Sequence, residues 1–546
     1  MWVFGVFGRW ERIAICPRES KTKAVNAPRF AIFIFVSALL SSAAEYDLII
    51  RGGRIADGTG APAFHADVGI REGRIVRVGQ IRAGAEREID AAGLVVAPGF
   101  IDVHTHAEGI TEMPAGENFI RMGVTTLMLG NCGTSDPAGE LFRKVEEQGA
   151  SPNVATLVGH NSVRRKAMGG SFDREPTSEE LAHMRELVKE GMEQGAVGLS
   201  TGLIYLPGTF SKTAEIVELA KVAAEFGGIY ASHMRDEGLE IDSALQEVFR
   251  IACEAGIRAH ISHIKLSGKS AWHRAAEILE LIDRARAEGL DITQDQYLYT
   301  ASSTDISQLV PEWAREGGGL KERLAHAETN AAIRTEMRAR LKRRGFDDYS
   351  YAVIASYPKD PSLNGLNVAE AAAKARGDSS LENQIDLVLE IVSRGGASGV
   401  FHGIGEDDLR VFLRHPNTMF AADSAVRKFG QGVPHPRGYG NNARLLGRYV
   451  AELGLLRLEE GIRRMTSLPA STFGISQRGQ IQPGFWADLV VFDPKKVRDR
   501  ATFAEPHQYP EGIDYVLVNG VPVIERQEYT GQRPGQALRR LVENEH

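Results

Sequence analysis

A His-x-His pair near the start of the chain is the first pattern that could do chemistry. His104 and His106 follow the apolar run Leu94 to Ile101, which predicts a buried strand. Residues two apart on a strand share a face, so both imidazoles would project together from its end. Two neutral imidazoles held close together suit a divalent metal ion. The pair is therefore a candidate metal site.

Further candidate ligands follow other β-like runs later in the chain. They are Cys132, His233, His263 and Asp423. Zinc accepts thiolate, imidazole and carboxylate ligands, and a catalytic zinc keeps one position open for water. Cys132, His233 and His263 would form such a site. His104 and His106 would complete a second, adjacent site that shares Cys132 or Asp423.

The alternation of side chains along a strand makes further predictions. Lys265 lies an even step from His263 and is expected to point inward, whereas His260 lies an odd step away and is expected to face the outer helices. His160 ends a β-like run at the same mouth and receives no role. Cys253 lies in an apolar helical pattern and is expected to be buried.

The elements that must position these residues alternate between β-like runs and amphipathic helical segments. This alternation predicts an α/β fold, a TIM-type (β/α)8 barrel, whose active-site face is the carboxyl end of its strands. The eight predicted strands are Leu94–His106, Thr125–Cys132, Asn153–His160, Ala196–Gly202, Gly228–Met234, Arg258–Lys265, Asp291–Tyr299 and Thr418–Ser424. The connection between the seventh and eighth predicted strands is too long for one crossover and predicts an insertion at about 305–417. The insertion contains predicted helices at Lys321–Arg344 and Leu381–Ser393 and could act as a lid.

The two ends of the mature chain have the pattern of short strands joined by tight turns. Glu72-Gly73 and Asn519-Gly520 are hairpin signals within residues 45–93 and 481–546. We expect these two pieces to pair into one small β-sandwich beside a barrel that occupies residues 94–480.

Residues 1–44 have the pattern of a leader. Arg29 precedes the uncharged apolar run Phe30 to Leu40, and small residues end at Ala44. A basic flank, a short apolar core and a small-residue site predict a signal peptide cleaved near Ala44. A bilayer-spanning helix needs about 20 apolar residues, so an uncleaved anchor is the less favoured alternative. We therefore expect a periplasmic or secreted enzyme without a stable membrane anchor.

The bulk composition narrows the class of partner. The 546 residues carry a net charge of −7, with 43% hydrophobic and 25% charged residues, which fits an ordinary globular enzyme. No basic run or stripe stands out, which argues against nucleic acid. A small-molecule substrate is the expected partner.

The sequence resembles the amidohydrolase superfamily and, within it, the N-acyl-D-amino-acid deacylases (D-aminoacylases). The resemblance runs from about Tyr46 to Leu538. The segments that carry it are Gly99–His106, Leu129–Gly133, Gly198–Gly202 with Tyr205, Tyr230–Glu237, Ile261–Lys265, Tyr297 through Ser303-Thr304, His435–Arg437 and Gly484–Leu489. It implies hydrolysis of the amide bond of N-acyl-D-amino acids by a zinc-activated water.

The resemblance also implies a role for each matching residue. Cys132, His233 and His263 match the ligands of a tightly bound zinc, and His104 and His106 match those of a weaker second site. Asp423 matches the general base, which then acts as the acid, and Tyr205 matches a residue that polarises the scissile carbonyl. The residues that match holders of the substrate's α-carboxylate are Lys265, Tyr297, Ser303 and Arg437. One departure is Ser424, where the family commonly has glycine.

Two other functions compete with this one. A cyclic-amide hydrolase, such as a hydantoinase or dihydroorotase, commonly bridges two metals with a carboxylated lysine on strand four, but Ala196–Gly202 contains no lysine. A non-catalytic binding protein would not need Asp423 beside a complete ligand set. Within the deacylases, the apolar segment after Ser303 predicts an uncharged substrate side chain, unless the insertion supplies a cation.

Overall fold

A computed structural model describes residues 44–170 and 172–540, so residues 1–43 of the predicted leader lie outside the described part. The strands are β1 (Tyr46–Ile55), β2 (Phe64–Arg71), β3 (Arg74–Gly79), β4 (Ala85–Asp90), β5 (Val95–Pro98), β6 (Phe100–Asp102), β7 (Thr105–His106), β8 (Val124–Leu129), β9 (Asn153–Thr156), β10 (Val158–Gly159), β11 (Gly198–Gly202), β12 (Ile229–His233), β13 (Arg258–Ile261), β14 (Ile292–Gln296), β15 (Ser302–Asp305), β16 (Ala352–Ser356), β17 (Ser398–Phe401), β18 (Thr418–Phe420), β19 (Ser424–Ala425), β20 (Leu489–Phe492), β21 (Ile513–Val518), β22 (Val521–Glu525) and β23 (Glu528–Tyr529).

Helices separate most of the central strands. They are α1 (Glu117–Ile120), α2 (Ala138–Gln148), α3 (His160–Met168), α4 (Ser178–Glu193), α5 (Thr213–Glu225), α6 (Ile241–Ala255), α7 (Ala275–Ala287), α8 (Glu312–Arg315), α9 (Leu320–Ala325), α10 (Ala327–Arg343), α11 (Val368–Arg376), α12 (Leu381–Ser393), α13 (Glu406–Arg414), α14 (Arg437–Arg444), α15 (Leu458–Met465) and α16 (Ser467–Phe473). None of the helices in residues 44–170 and 172–540 is both long and apolar enough to cross a bilayer.

Eight parallel strand positions close into the predicted barrel. One sheet has the order β6-β8-β9, and the other has the order β10-β11-β12-β13-β14-β18. The two sheets are continuous where β9 runs into β10. On the opposite side they are joined by the pairing of β7 with β19 and by the side chain of Asp102, which accepts hydrogen bonds from the Ala422 amide. The structure therefore contains the barrel that the alternation of β-like and helical segments predicts.

The barrel interior is filled by apolar side chains from its strands. Ile101, Met128, Ile229 and Met419 belong to one buried cluster, which also contains Phe473 of α16. Arg258 at the start of β13 donates to carbonyls at the end of α16. Helix α16 therefore lies at the amino end of the strands, opposite the predicted site.

The first predicted strand, Leu94–His106, is divided between two sheets. β5 pairs with β1 and β20 in a nine-stranded sheet built from both ends of the chain, and only β6 enters the barrel. The chain turns at Gly99, where a Cβ atom would collide with the side chain of Thr125. The hairpin turns at Glu72-Gly73 and Asn519-Gly520 form as predicted.

A separate unit lies between β14 and α13. Its three-stranded sheet has the order β15-β17-β16, and its own apolar core includes Ile306, Met337, Leu387 and Phe401. The predicted helix Leu381–Ser393 coincides with α12, whereas the predicted Lys321–Arg344 is two helices that are separated at His326, where the backbone is extended.

The prediction that Cys253 is buried is wrong. Cys253 lies on α6 and is exposed. The buried stripe of that helix passes through Leu245, Val248, Phe249 and Ala252. Cys253 is one residue beyond this stripe, so its side chain turns about 100° away from the core.

Candidate active site

The predicted ligands converge at the carboxyl end of the barrel strands. His233 ends β12, His104 and Cys132 follow β6 and β8, and His263 follows β13. Asp423 follows β18. All five side chains are buried, with Asp423 the most exposed at 7%. Parallel strands bring their carboxyl ends to one face, so residues distant in sequence meet there.

Three of these residues leave their strands in a left-handed backbone conformation. The φ angles are 52° for Cys132, 37° for His263 and 47° for Asp423. A non-glycine residue in this region costs about 1–2 kcal/mol. The left-handed turn redirects each side chain into the barrel mouth, and it ends the strand alternation at that residue.

The prediction that His260 faces the outer helices is wrong for this reason. His260 lies inside the barrel, where Nε2 is 2.8 Å from Asp295 Oδ2 and Nδ1 is 2.9 Å from Thr293 Oγ1. Its neighbours on β13, Ala259 and Ile261, pack outward instead. Counting odd and even steps back from His263 gave the wrong face for His260, because β13 ends before His263 and the backbone turns there.

The thiol of Cys132 lies at the centre of the candidate metal site. Its Sγ atom is 3.3 Å from His104 Nε2, 3.4 Å from His233 Nδ1 and 3.7 Å from His263 Nε2. With Zn–S and Zn–N bonds of about 2.3 and 2.1 Å, tetrahedral ligands lie about 3.5 Å apart. The donor atoms therefore have the chemistry and the spacing of a zinc site.

A second group of possible ligands adjoins the first. His106 Nε2 lies 3.2 Å and His104 Nε2 3.6 Å from Asp423 Oδ1. His104 belongs to both groups, which makes it a bridge between them. His106 is more open to solvent, with 39% of its side chain exposed.

Burial and charge set the protonation of the first group. Burial raises the pKa of the Cys132 thiol well above its ordinary value, and the Asp423 carboxylate adds to the rise. Burial lowers the pKa of His233 and of His263, and the Lys265 charge lowers the pKa of His263 further. Neutral imidazoles are the form that binds metal, and a cation in the site would offset the cost of a buried thiolate.

Asp423 lies between the metal ligands and an arginine. Arg437 Nη1 is 2.9 Å from Asp423 Oδ2. Burial alone would raise the pKa of Asp423, but the charges of Arg437 and His104 and a hydrogen bond from His106 outweigh it. The pKa of Asp423 therefore lies well below its ordinary value.

The four residues predicted to hold a carboxylate differ in their contacts. Arg437 Cζ lies 4.4 Å from the centre of the Tyr297 ring, and Arg437 Nη2 donates to the Ser303 carbonyl at 3.3 Å. Within the described residues, the Tyr297 hydroxyl is buried without a hydrogen-bond partner, whereas Arg437 Nη1 forms the ion pair with Asp423. Ser303 Oγ already donates to the Gly399 carbonyl at 2.9 Å, and Lys265 Nζ lies 2.5 Å from Glu237 Oε1.

Tyr205 lies on the same wall as His233. The two rings are 4.9 Å apart in an edge-on arrangement, and the Tyr205 hydroxyl is 3.1 Å from Thr304 Oγ1. Burial raises the pKa of Tyr205 well above its ordinary value, so the hydroxyl keeps its proton. It can therefore serve as a hydrogen-bond donor.

A cavity of about 710 Å³ opens above these residues. Its wall includes Cys132, Tyr205, Lys265, Tyr297 and Asp423. His104 contacts this wall at Cys132, and Arg437 contacts it at Asp423. The far side comes from the inserted unit and includes Arg340, Arg343 and Arg344 of the α10 region, so the insertion supplies cations that the segment after Ser303 lacks. Arg340 is neutralised by Glu312, at 2.6 and 2.9 Å.

His160 belongs to another cluster. It begins α3, and its Nε2 atom lies 2.7 Å from Glu215 Oε1. Glu215 also pairs with the buried Arg164, which donates to the carbonyls of Phe172 and Arg174. His160 thus helps to anchor a loop beside the barrel.

Sequence reasoning missed three carboxylates around the ligands, of which Asp102 and Asp295 are buried and Glu237 has a side chain that is 9% exposed. Glu237 Oε1 lies 2.9 Å from His263 Nδ1, and Asp295 Oδ2 lies 3.5 Å from His104 Nδ1. Asp102 accepts from the His104 amide at 3.2 Å. Each lies within four residues of a strand end, but such positions commonly serve as helix caps and carry no specific signal.

Comparison with known proteins agrees with this architecture. The model of the amidohydrolase family matches residues 87–524. The D-aminoacylase of Alcaligenes xylosoxydans xylosoxydans is 36% identical over 528 residues, covering 92% of this chain and 99% of the relative.

Solved structures give the same result. N-acyl-D-glutamate deacylase from Bordetella bronchiseptica, solved with zinc and a phosphonate mimic of the tetrahedral intermediate, superposes with a TM-score of 0.79. It is 35% identical, and the match covers 90% of this chain and 99% of that one. A D-hydantoinase structure, at 16% identity and a TM-score of 0.53, shares the fold alone. The chain therefore belongs to the amidohydrolase family, in the branch that contains D-aminoacylase and N-acyl-D-glutamate deacylase.

Proposed function

We propose that this protein is a zinc-dependent hydrolase that removes the acyl group from N-acyl-D-amino acids. The observation that carries the proposal is the position of the Cys132 thiol, 3.3 to 3.7 Å from nitrogens of three histidines. Relatives at 34–36% identity over most of the chain are named as deacylases of this class, which supports the same substrate class here.

Cys132, His233 and His263 are the proposed ligands of a tightly held zinc. His104 and His106 are assigned to a weaker second site, although His104 is also close enough to Cys132 to contribute to the first. A zinc ion bound there supplies Lewis acidity, which polarises the amide carbonyl and makes water a nucleophile near neutral pH.

Asp423 is the proposed general base. Arg437 fixes its Oδ2 atom, while Oδ1 faces the histidines. A carboxylate held in this way can accept a proton from the attacking water and return it to the leaving amine. The low pKa of Asp423 keeps it ionised at neutral pH.

The substrate's α-carboxylate is assigned to the cationic wall beside Asp423. The Tyr297 hydroxyl is a buried donor without a hydrogen-bond partner in the described residues, and a buried donor left unpaired costs about 1–3 kcal/mol. A bound carboxylate would accept from this hydroxyl beside the guanidinium of Arg437, which also pairs with Asp423. Lys265 and Ser303 adjoin this position. Tyr205 is placed to donate to the scissile carbonyl on the other side.

Fixing the substrate at two points would make the site stereoselective, and the relatives named as D-aminoacylase and N-acyl-D-glutamate deacylase support the D configuration. The carboxylate and the amide would both be fixed, so only one configuration at Cα directs its side chain into the open cavity. The test is a rate comparison of the purified zinc enzyme on N-acetyl-D- and N-acetyl-L-amino acids. We expect the D series to be faster, and faster hydrolysis of the L series would refute the assignment.

A cyclic-amide hydrolase is the alternative. Strand β11, which comes from the fourth predicted strand, contains no lysine that could be carboxylated to bridge two metals. Hydantoins should therefore be poor substrates in the same assay. Turnover of a hydantoin at a rate comparable to that of an acyl-D-amino acid would favour the alternative.

We also propose that the protein is exported. The support is the basic, apolar and small-residue pattern before Glu45, and the family resemblance begins just after it, at about Tyr46. Edman sequencing of protein from its native host should give a chain starting near Glu45. A mature protein that retains residues 30–44 would contradict export by cleavage.

A further inference from the structure

We propose that Glu237 is a positioning residue that orients two zinc ligands, His233 and His263, through their metal-distal nitrogens. This proposal rests on the proposed function, because it takes Cys132, His233 and His263 as the ligands. Glu237 lies in the loop after β12, and its side chain is only 9% exposed.

The two histidines present opposite nitrogens to Cys132 and to Glu237. His263 directs Nε2 towards Cys132 and Nδ1 towards Glu237 Oε1, at 2.9 Å. His233 directs Nδ1 towards Cys132 and Nε2 towards Glu237 Oε2, at 3.7 Å, which is a charge contact beyond hydrogen-bond distance. Among the described residues His233 Nε2 has no hydrogen-bond partner. One carboxylate therefore faces both rings, one oxygen to each. The hydrogen bond to His263 Nδ1 selects the tautomer that leaves Nε2 free for metal, and the negative charge beside His233 Nε2 favours a proton on that nitrogen and a free Nδ1.

Lys265 holds this carboxylate in place. Its ammonium donates to Glu237 Oε1 at 2.5 Å and to the His263 carbonyl at 2.9 Å. Because an ammonium has three N–H bonds, one donor remains for the cavity side. Lys265 Nζ also lies 2.9 Å from His263 Nδ1. That nitrogen can donate to Glu237 or accept from Lys265, but only the first arrangement leaves Nε2 free to bind metal.

The loop that carries Glu237 is itself well fixed. The Ser267 amide donates to the Glu237 carbonyl at 2.7 Å, and the Asp236 side chain accepts from the amides of Gly238 and Glu240 at 2.7 and 3.0 Å. The carboxylate is thus placed by backbone contacts of its own loop and by Lys265, in addition to the histidines it faces.

The test is the zinc affinity of Glu237→Gln, measured by competition with a chromophoric chelator. Loss of a carboxylate that orients metal-bound histidines typically weakens binding 10- to 100-fold. We expect a loss of at least tenfold, with an altered visible spectrum after Co²⁺ replaces zinc. Glu215→Gln is the matched control, because Glu215 is also buried against a histidine and a cation but lies outside the ligand cluster. Its zinc affinity and Co²⁺ spectrum should match the wild type.

A second variant separates positioning from folding. Glu237→Asp keeps the charge but is one methylene shorter, so we expect its zinc affinity to lie between those of the wild type and Glu237→Gln. Wild-type zinc affinity in a folded Glu237→Gln, or weaker binding in Glu237→Asp than in Glu237→Gln, would overturn the proposal. The measured quantity is zinc affinity, so this test is independent of the substrate assay. A wild-type protein that binds zinc but does not hydrolyse acyl-D-amino acids would refute the proposed function and leave the role of Glu237 intact.

Discussion

Arg437 Nη1 lies 2.9 Å from Asp423 Oδ2, so the arginine assigned to the substrate's carboxylate also contacts the proposed base. The same guanidinium lies over the Tyr297 ring and donates to the Ser303 carbonyl. The groups assigned to substrate recognition and to proton transfer are therefore in direct contact, and a substitution of Arg437 or Asp423 should change the environment of the other residue.

Arg437→Ala should impair the free acid more than an uncharged analogue. A hydrogen bond to a charged group contributes about 1.5–3 kcal/mol. We expect kcat/KM for an N-acetyl-D-amino acid to fall by about 10- to 100-fold more than for the corresponding D-amino acid amide. Arg437→Lys should retain part of this discrimination, because it keeps the charge but loses bidentate binding. An equal fall in kcat/KM for both substrates would show that the substrate's α-carboxylate does not bind at Arg437.

Asp423→Asn should separate metal binding from turnover. The amide keeps the shape of the side chain but cannot accept the proton, so kcat should fall by about 100-fold or more. Zinc content, measured by atomic absorption, should remain near that of the wild type because the Cys132 cluster is intact. Near-normal kcat in this variant would show that another residue is the general base.

Cys132→Ala should lose most of its zinc and its activity. The thiol lies within 3.7 Å of all three histidine nitrogens, so its removal takes away the ligand that they share. Cys253→Ser is the matched control, since Cys253 is exposed on α6 and should tolerate the change. Chelation should likewise abolish wild-type activity, and added zinc should restore it. A Cys132→Ala protein with full zinc content would contradict the ligand assignment.

Glu215 should contribute stability at neutral pH that is lost in acid. Burial alone would raise its pKa, but His160 and Arg164 outweigh burial and lower the pKa below the ordinary value of 4.5. The folded state therefore binds this proton less tightly than the unfolded state. The stabilisation is present above pH 4.5 and disappears as the pH falls through the lower folded value.

The measurement is urea unfolding of the wild type and of Glu215→Gln between pH 3 and pH 7. Removing one partner of a buried pair costs about 3–5 kcal/mol, so the variant should be less stable by that order at pH 7. The difference in the free energy of unfolding should shrink below about pH 4.5. A difference that stays constant, or grows, in acid would exclude a lowered pKa at Glu215.

The sequence by itself determined which chemical groups meet at the mouth of the barrel. His104, Cys132, His233, His263 and Asp423 were predictable because each follows a β-like run, and a parallel βα alternation brings strand ends to one face. The turn at Asn519-Gly520 was predictable for a similar reason, since it is set by neighbouring residues. The roles of these five residues stay predictions until the variants are measured.

Only the tertiary structure decided what surrounds them. Glu237, Asp295 and the Arg437–Asp423 pair depend on contacts between residues 14 to 191 positions apart, which local sequence does not encode. The left-handed turns at Cys132, His263 and Asp423 also ended the alternation on which the placement of His260 relied. Strand periodicity holds only while the backbone stays extended. The sequence could therefore name the candidate ligands but not the carboxylates that surround them.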